Sequence, residues 1–428
     1  MITKIYDRFI VFIGFFITLF PIYFSLLPTI IWQAIYAALP LCYLLIYCPY
    51  NRIFKYMIKN KYWYVSTLLL LLGIIYSLIM IGFVSGEYSW LEKIILLFRN
   101  GINFLFLSVY IERNFKEDKL LVFSKYYVYC TAFYVLCSCV FLIDLSLRTV
   151  WLSFINENSG STHALELVKN AGLYVTRFGL IGYSGFGCSL LCSFGVLLWN
   201  YCFSSKRINF KNWVTILLFL LIGNMFYARS GLLLSILLTL ICVVYGRKHI
   251  SLNKVIGYAV PFALLIVFIF MNCMEEEELQ YWIEWMLSPI ESFMVGLNNG
   301  YLSFGSSGDV MFNMYFLPDS DWTIIFGDGI YKNIDGSYYG HTDVGIMRMM
   351  LFGGIPICIF LYGACLSMII GIYFENKDTK RAVFCWSLLV AMIFFEIKGD
   401  ALHHYYGLIF AILYLSNCNS VDKEYVRD

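Results

Sequence analysis

Apolar residues in this chain run on for about twenty positions at a time, and short polar stretches separate the runs. A helix needs roughly 20 mostly apolar residues to cross a bilayer, and lipid cannot satisfy open backbone groups, so such runs predict membrane-spanning helices. Twelve runs fit: 9–27, 29–48, 63–84, 93–111, 122–144, 178–203, 212–227, 229–246, 255–273, 343–373, 382–397 and 401–417. The pattern predicts an all-α polytopic membrane protein, one transmembrane domain over 1–428 without internal repeat or dividing linker. The first run starts within ten residues of Met1 and no small-residue cleavage site follows it, so it reads as a retained span.

Lys and Arg concentrate in the short cytoplasmic connections of membrane proteins. Here they alternate: Lys4 and Arg8, Arg52 to Lys61, Arg113 to Lys119, Lys206 to Lys211, Arg247 to Lys254, Lys377 to Arg381, then Lys423 and Arg427. The opposite connections are short and acidic, as at Gly86-Glu87, or long and aromatic. This places both termini in the cytoplasm. Charge parity also decides the stretch from Trp213 to Tyr245, too long for one upright span and short for two. As a single helix it would put Arg247, Lys248 and Lys254 outside, so it reads as a hairpin turning between Asn224 and Gly231. Its turn lies below the membrane surface, where a broken backbone must line a cavity, and Arg229 faces that cavity.

Two outer connections are long, 145–177 with Trp151, His163 and Glu166, and 274–342, the largest polar region. The second opens on Glu275 to Glu278, continues through Tyr281, Trp282 and Trp285 like an interfacial amphipathic helix, and ends rich in Gly and Asp. Loops of this length usually carry function.

Composition agrees with the membrane reading. Hydrophobic residues make up 61% and charged residues 14% of the 428 positions, against about 25% charged in soluble domains. A formal charge of +2, scattered along the chain, excludes a nucleic-acid surface. The 14 cysteines sit mostly inside apolar runs, as do Cys42, Cys130, Cys137, Cys192 and Cys365, and read as small core residues. Without Cys-x-x-Cys pairs or His-Cys clusters, neither a metal nor a disulfide is expected. Gly179, Gly182, Gly185 and Gly187 fall in an apolar span with no preceding strand, so close helix packing is favoured over a nucleotide loop.

Ionisable groups inside spans cost several kcal/mol and mark a function or a buried pair. Arg99, Arg177, Arg229, Arg348, Glu396 and Lys398 all fall in outer halves of spans, with Asp343 opening the tenth and His341 just before it. The set is net cationic, and arginine forks suit phosphate oxygens, which favours an anionic ligand; the alternative is snorkelling, or pairing with Glu396 or Asp400. His341 and Arg348 are seven apart and share a face if the helix starts early enough, with a kink expected at Pro356 after Gly353 and Gly354. A histidine is a plausible general base, or a loop residue without a role; His403 and His404 read as ordinary.

Three stretches, with the span count and the large outer loop, carry a resemblance. They are Arg177-Phe-Gly-Leu-Ile-Gly, Ala228-Arg229-Ser230-Gly231-Leu232, and Phe326-Gly-Asp-Gly through His341-Thr342-Asp343 to Phe352-Gly-Gly-Ile-Pro356. The chain resembles the O-antigen polymerases, which join lipid-linked oligosaccharide repeat units at the outer face of the bacterial inner membrane. O-antigen ligases look similar, but tend to show His-Asn where this chain has His341-Thr342-Asp343. The resemblance implies a GT-C-like architecture and undecaprenyl-pyrophosphate-linked oligosaccharide as both donor and acceptor. It further implies inverting transfer driven by the pyrophosphate leaving group, without metal or nucleotide, and possible contact with a chain-length regulator. Arg177, Arg229 and Arg348 would hold the pyrophosphate. His341, oriented by Asp343, would deprotonate the acceptor; Arg99 and Lys398 would complete the cationic wall, and Tyr339 would contact the sugar. A lipid-linked oligosaccharide flippase is the rival from another class, and a scaffold the third choice.

Overall fold

The computed structural model of the chain describes residues 2–51, 53, 60–156, 177–246, 257, 261, 276–299, 313–375 and 378–424. Helices dominate: α1 (Ile2–Leu19), α2 (Thr29–Tyr47), α3 (Lys61–Ile79, with a π turn Met80–Ser85), α4 (Ser89–Asn114), α5 (Lys119–Ile143) and α6 (Leu145–Ser153). After the short strands β1 (Phe178–Gly179) and β2 (Gly182–Tyr183) come α7 (Phe186–Ser204), α8 (Phe210–Tyr227), α9 (Arg229–Ile241, with a π turn Cys242–Gly246) and α10 (Glu276–Asn298). The remainder are α11 (Asp321–Ile325), α12 (Gly345–Glu375), α13 (Thr379–Lys398) and α14 (Leu402–Glu424). Among the described residues, seven helices are long and apolar enough to cross a membrane by length and composition: α2, α3 with its π turn, α4, α5, α7, α8 and α12. All but two residues of the run 255–273 lie outside the described residues, as do 157–176, with His163 and Glu166, and 300–312.

Two units divide the chain, 1–39 with 114–291 and 40–113 with 292–428. In the first unit α7 is the central helix, buried along nearly its whole length. It runs antiparallel to α8: Trp199 Nε1 donates to the Trp213 carbonyl at 3.0 Å near one end, and Ser189 Oγ donates to Asn224 Oδ1 at 2.8 Å near the other. Along α9 the order is parallel, with Ser189 on the Ala228 carbonyl at 3.1 Å and Asn200 on Thr239 at 3.4 Å. Hence α8 and α9 form a hairpin, as the charge parity requires, and its turn is the one extended residue Ala228. A buried polar seam joins the three helices: Asn224 Nδ2 donates to Ser235 Oγ at 2.8 Å, and Ser193 Oγ donates to the Gly231 carbonyl at 3.1 Å. Gly231 is required here, since a Cβ would lie 1.8 Å from Ser189 Oγ.

One boundary differs from expectation. Residues 178–183 do not begin a helix but form a β-hairpin, Phe178 opposite Tyr183 and Gly179 opposite Gly182, and the helix starts at Phe186. The turn needs a positive φ at Gly182, and a Cβ on Gly179 would lie 2.3 Å from the Tyr134 hydroxyl, so these two glycines serve a tight turn and a close approach, not helix packing.

In the second unit α3 lies antiparallel along α12, where Gly73 meets Phe360 and Leu361, and Gly371 meets Tyr62. Helix α12 is broken, though not at Pro356: Gly353 and Gly354 leave the helical region, Gly354 with φ 62°. Pro356 then stands in the first turn of the second half, where a missing N–H costs little. The break frees the carbonyls of Leu351 and Phe352, and the N–H groups of Asp328 and Gly329 donate to them, both at 2.8 Å. The Phe326-Gly-Asp-Gly stretch is therefore a plug that caps a split helix. Gly327 is needed for the approach, because a Cβ would lie 2.4 Å from the Phe352 carbonyl.

Candidate functional site

The second unit gathers its charges where α4, the first half of α12 and the α13–α14 connection meet the loop at 326–341. Lys93 and Arg99 project from α4, Arg348 from α12, Asp400 from the connection, and His403 from α14. Asp400 Oδ2 accepts from the Tyr331 hydroxyl at 2.5 Å and pairs with Lys93 Nζ at 3.1 Å. Arg348 acts on the same carboxylate electrostatically. Arg99 donates to Asn100 Oδ1 through Nε at 3.2 Å and Nη2 at 2.9 Å, and Asn100 Nδ2 donates to the His403 carbonyl at 2.7 Å. Arg99, Arg348 and Asp400 are each buried.

Among the described residues Glu396 pairs with no arginine, one alternative the sequence offered. Its carboxylate accepts from the hydroxyls of Tyr362 at 2.7 Å and Tyr405 at 2.9 Å, and from the Ala401 N–H at 3.1 Å. Among the described residues, Lys93, Arg99 and Arg348 gather about Asp400, while Glu396 is met by neutral donors.

The loop is tied down on every side. Glu87 accepts the Tyr331 N–H at 3.1 Å and the Ser89 N–H at 2.5 Å; Ser85 Oγ donates to the Gly329 carbonyl at 2.7 Å; Lys332 approaches Glu92 at 3.7 Å. Residues 331–339 form a small hairpin, Lys332 opposite Tyr338, turning at Gly336 with φ 81°. Two of its tyrosines embrace Arg348, whose Cζ lies 3.5 Å from the Tyr338 ring centre and 4.3 Å from that of Tyr331. Trp90 backs Tyr331 with ring centres 4.9 Å apart. Beneath them a cavity of about 20 Å³ is lined by Ser77, Trp90, Lys93, Asp400 and His403 among others. Asp400 Oδ1 and His403 Nδ1 are both buried there without a hydrogen-bond partner among the described residues.

The remaining expected site residues fall elsewhere. His341 is not on α12: it ends a 3-10 turn in the left-handed region with φ 51°, Thr342 is extended, and the helix begins at Gly345. It therefore does not share a helix face with Arg348. Its ring is exposed, its N–H donates to the Tyr338 carbonyl at 3.0 Å, and its charge acts on Asp335. Asp343 is also exposed, and no hydrogen bond joins it to His341 among the described residues. The Tyr339 hydroxyl donates to Asp328 Oδ2 at 3.0 Å; burial, then that carboxylate, push its pKa up. Lys398 is half-buried in the last turn of α13.

Within the first unit, Arg177 precedes the β-hairpin and its Nη1 donates to the Tyr183 hydroxyl at 3.2 Å. Arg229 opens α9 directly after the Ala228 turn, and its Nη1 donates to Ser288 Oγ on α10 at 2.7 Å. Both are half-buried, and Arg177 is within electrostatic reach of Arg229. A third arginine, Arg148 on α6, is 5% exposed.

Sequence reasoning passed over Lys93 and Arg148. Lys93 is the first residue of an apolar run, where a lysine reads as an interface anchor. A better signal was available: a lysine at a span start and an aspartate between the last two spans are complementary charges that a membrane interior brings together. Comparison with protein-family models, curated proteins and solved structures found no match to the chain.

Proposed function

We propose that this protein is a lipid-linked repeat-unit polymerase: a glycosyltransferase that extends a surface polysaccharide such as O-antigen from undecaprenyl-pyrophosphate-linked oligosaccharides. The observation that carries the reading is the cationic cluster of Lys93, Arg99 and Arg348, enclosed by helices long and apolar enough to span a membrane. Asp400 answers Lys93, and a lipid pyrophosphate would supply the anion suited to the guanidinium of Arg348 at that depth. The first unit separately holds Arg177 and Arg229 close enough to repel each other, a second centre suited to an anion. A polymerase handles two lipid-pyrophosphates, donor and acceptor, whereas a ligase handles one, so two centres support polymerase over ligase.

In this reading twelve spans sit in the bacterial inner membrane with both termini cytoplasmic and the chemistry periplasmic, in a GT-C-like arrangement. The acceptor hydroxyl attacks the sugar carbon bonded to pyrophosphate. The new glycosidic bond forms as the carbon–oxygen bond to pyrophosphate breaks, the configuration inverts, and the hydroxyl proton passes to a base. His341 is that base; its exposed ring on a fixed backbone suits a group that meets a sugar from solvent, and Asp335 is the carboxylate its charge acts on. Arg348 of one centre stabilises the negative charge that develops on the departing pyrophosphate, and Arg229 of the other centre holds the second lipid-pyrophosphate.

The test is an assay of the purified protein with synthetic undecaprenyl-pyrophosphate repeat units, products sized on a gel. A ladder is expected. Transfer only to a lipid A core acceptor would make the protein a ligase, and transbilayer movement of the lipid without transfer would make it a flippase.

A further inference from the structure

A guanidinium is flat, with its hydrogen-bond donors in the plane and none on its faces. In Arg348 the Tyr338 and Tyr331 rings cover the faces. Its Nε and Nη2 lie along one edge, are buried, and have no hydrogen-bond partner among the described residues. This is the edge that meets two oxygens of one phosphate side by side. No hydrogen bond from a neighbouring carboxylate fills it among the described residues: Asp400 feels its charge but gives Oδ2 to Lys93 and Tyr331 and leaves Oδ1 unbonded, Glu396 accepts from two tyrosines and a backbone N–H, and Asp328 from Thr323 and Tyr339. Burying charged donors without hydrogen bonds carries their desolvation cost unrepaid by such bonds.

The two limbs of the hairpin are held unequally. Tyr331 is 1% exposed, with its N–H on Glu87 and its hydroxyl on Asp400. Tyr338 is 37% exposed, and its ring contacts are Arg348 and, at 6.4 Å between centres, Tyr331. The first is a floor and the second a cover.

We propose that the Nε–Nη2 edge of Arg348 is a binding site for one phosphate group of a phosphoanhydride, closed by Tyr338, which swings off the guanidinium to admit the ligand while Tyr331 holds the arginine in place. The proposal rests on the polymerase reading for the identity of the ligand, a lipid-linked pyrophosphate, but its geometry is independent of sugar transfer.

The test uses the full chain in nanodiscs, with farnesyl pyrophosphate as probe and inorganic pyrophosphate and phosphatidylglycerol in separate arms. Arg348→Lys keeps the charge and loses the edge; it should weaken farnesyl pyrophosphate about tenfold or more, the range of a hydrogen bond to a charged group. Tyr338→Ala should speed association about tenfold, with Tyr338→Phe unchanged, as expected when a closed cover limits access. Equal affinity in Arg348→Lys and wild type overturns the site, and an unchanged association rate in Tyr338→Ala overturns the cover. If Arg348→Lys does not fold, the Tyr338 rates decide alone. Competition by phosphatidylglycerol but not inorganic pyrophosphate would assign the edge to bulk lipid headgroups and overturn the phosphoanhydride. A polymer ladder with Arg348-independent binding refutes this site and leaves the polymerase reading; Arg348-dependent binding without a ladder does the reverse.

Discussion

The two units hold their cations in opposite ways. In the second, Lys93 pairs with Asp400, a carboxylate that also feels the charge of Arg348, tyrosine rings cover that arginine, and the loop around them is bonded to α3, α4 and α12. In the first, Arg177 and Arg229 are half-buried and donate to hydroxyls, those of Tyr183 and Ser288. A cation paired with a buried carboxylate is part of the fold, because removing it strands the partner. The hydroxyl partners of Arg177 and Arg229 carry no charge, so losing those two bonds strands no anion at them. The contrast assigns the Lys93–Asp400 pair to folding.

The largest expected effect is on activity: Arg229→Ala should abolish polymer formation while the amount of membrane-inserted protein stays at the wild-type level. Normal polymer from this variant would remove the first unit's centre from the reaction. Next comes Lys93→Met, which should cost about 3 kcal/mol of stability, at the low end for a broken buried pair because the lysine is 23% exposed. Thermal unfolding in detergent measures it, and Lys93→Met with Asp400→Asn should recover most of the loss; a single variant as stable as wild type would erase the distinction between the units. Gly231→Ala tests whether the first unit's polar seam is as tightly set: a Cβ 1.8 Å from Ser189 Oγ should destabilise by about 2 kcal/mol, the scale of overpacking.

The smallest effect is confined to the hairpin. Hydrogen bonds from the Ser337 side chain and N–H, with His341 adding to them, hold the Asp335 carboxyl below its usual value. A depressed carboxyl contributes stability above its unfolded pKa and loses it as pH falls through the folded one. Protection from hydrogen exchange at 333–337, taken relative to the intrinsic rate at each pH, should therefore fall only below about pH 4, the ordinary aspartate range, and be lower in Asp335→Asn at every pH above it. Loss of protection that begins near neutrality would overturn the assignment to Asp335.

Much of this was legible in the chain itself. Among the described residues helices stand at the apolar runs because a backbone in lipid has no other way to satisfy itself, and charge parity split Trp213 to Tyr245 into a hairpin turning between Asn224 and Gly231, where the structure has its turn at Ala228. The amphipathic stretch after Glu275 is α10. The candidate cations were visible as charges out of place, and Arg99 and Arg348 are indeed buried. These are properties of single segments, decided by residues adjacent in sequence.

What the tertiary structure decided depends on partners far apart in sequence. The break in α12 falls at Gly353–Gly354 and not at Pro356, because the N–H groups of Asp328 and Gly329 are there to take the freed carbonyls. Asp400 belongs to Lys93, more than three hundred residues before it, and to Tyr331, 69 residues before it, and Glu396 to Tyr362 and Tyr405. His341 leaves the helix that its spacing from Arg348 invited, since the loop turns at positive φ before α12 begins. A run of apolar residues commits a segment to helix by itself, whereas a buried charge has no fixed meaning until the fold has chosen what stands opposite it.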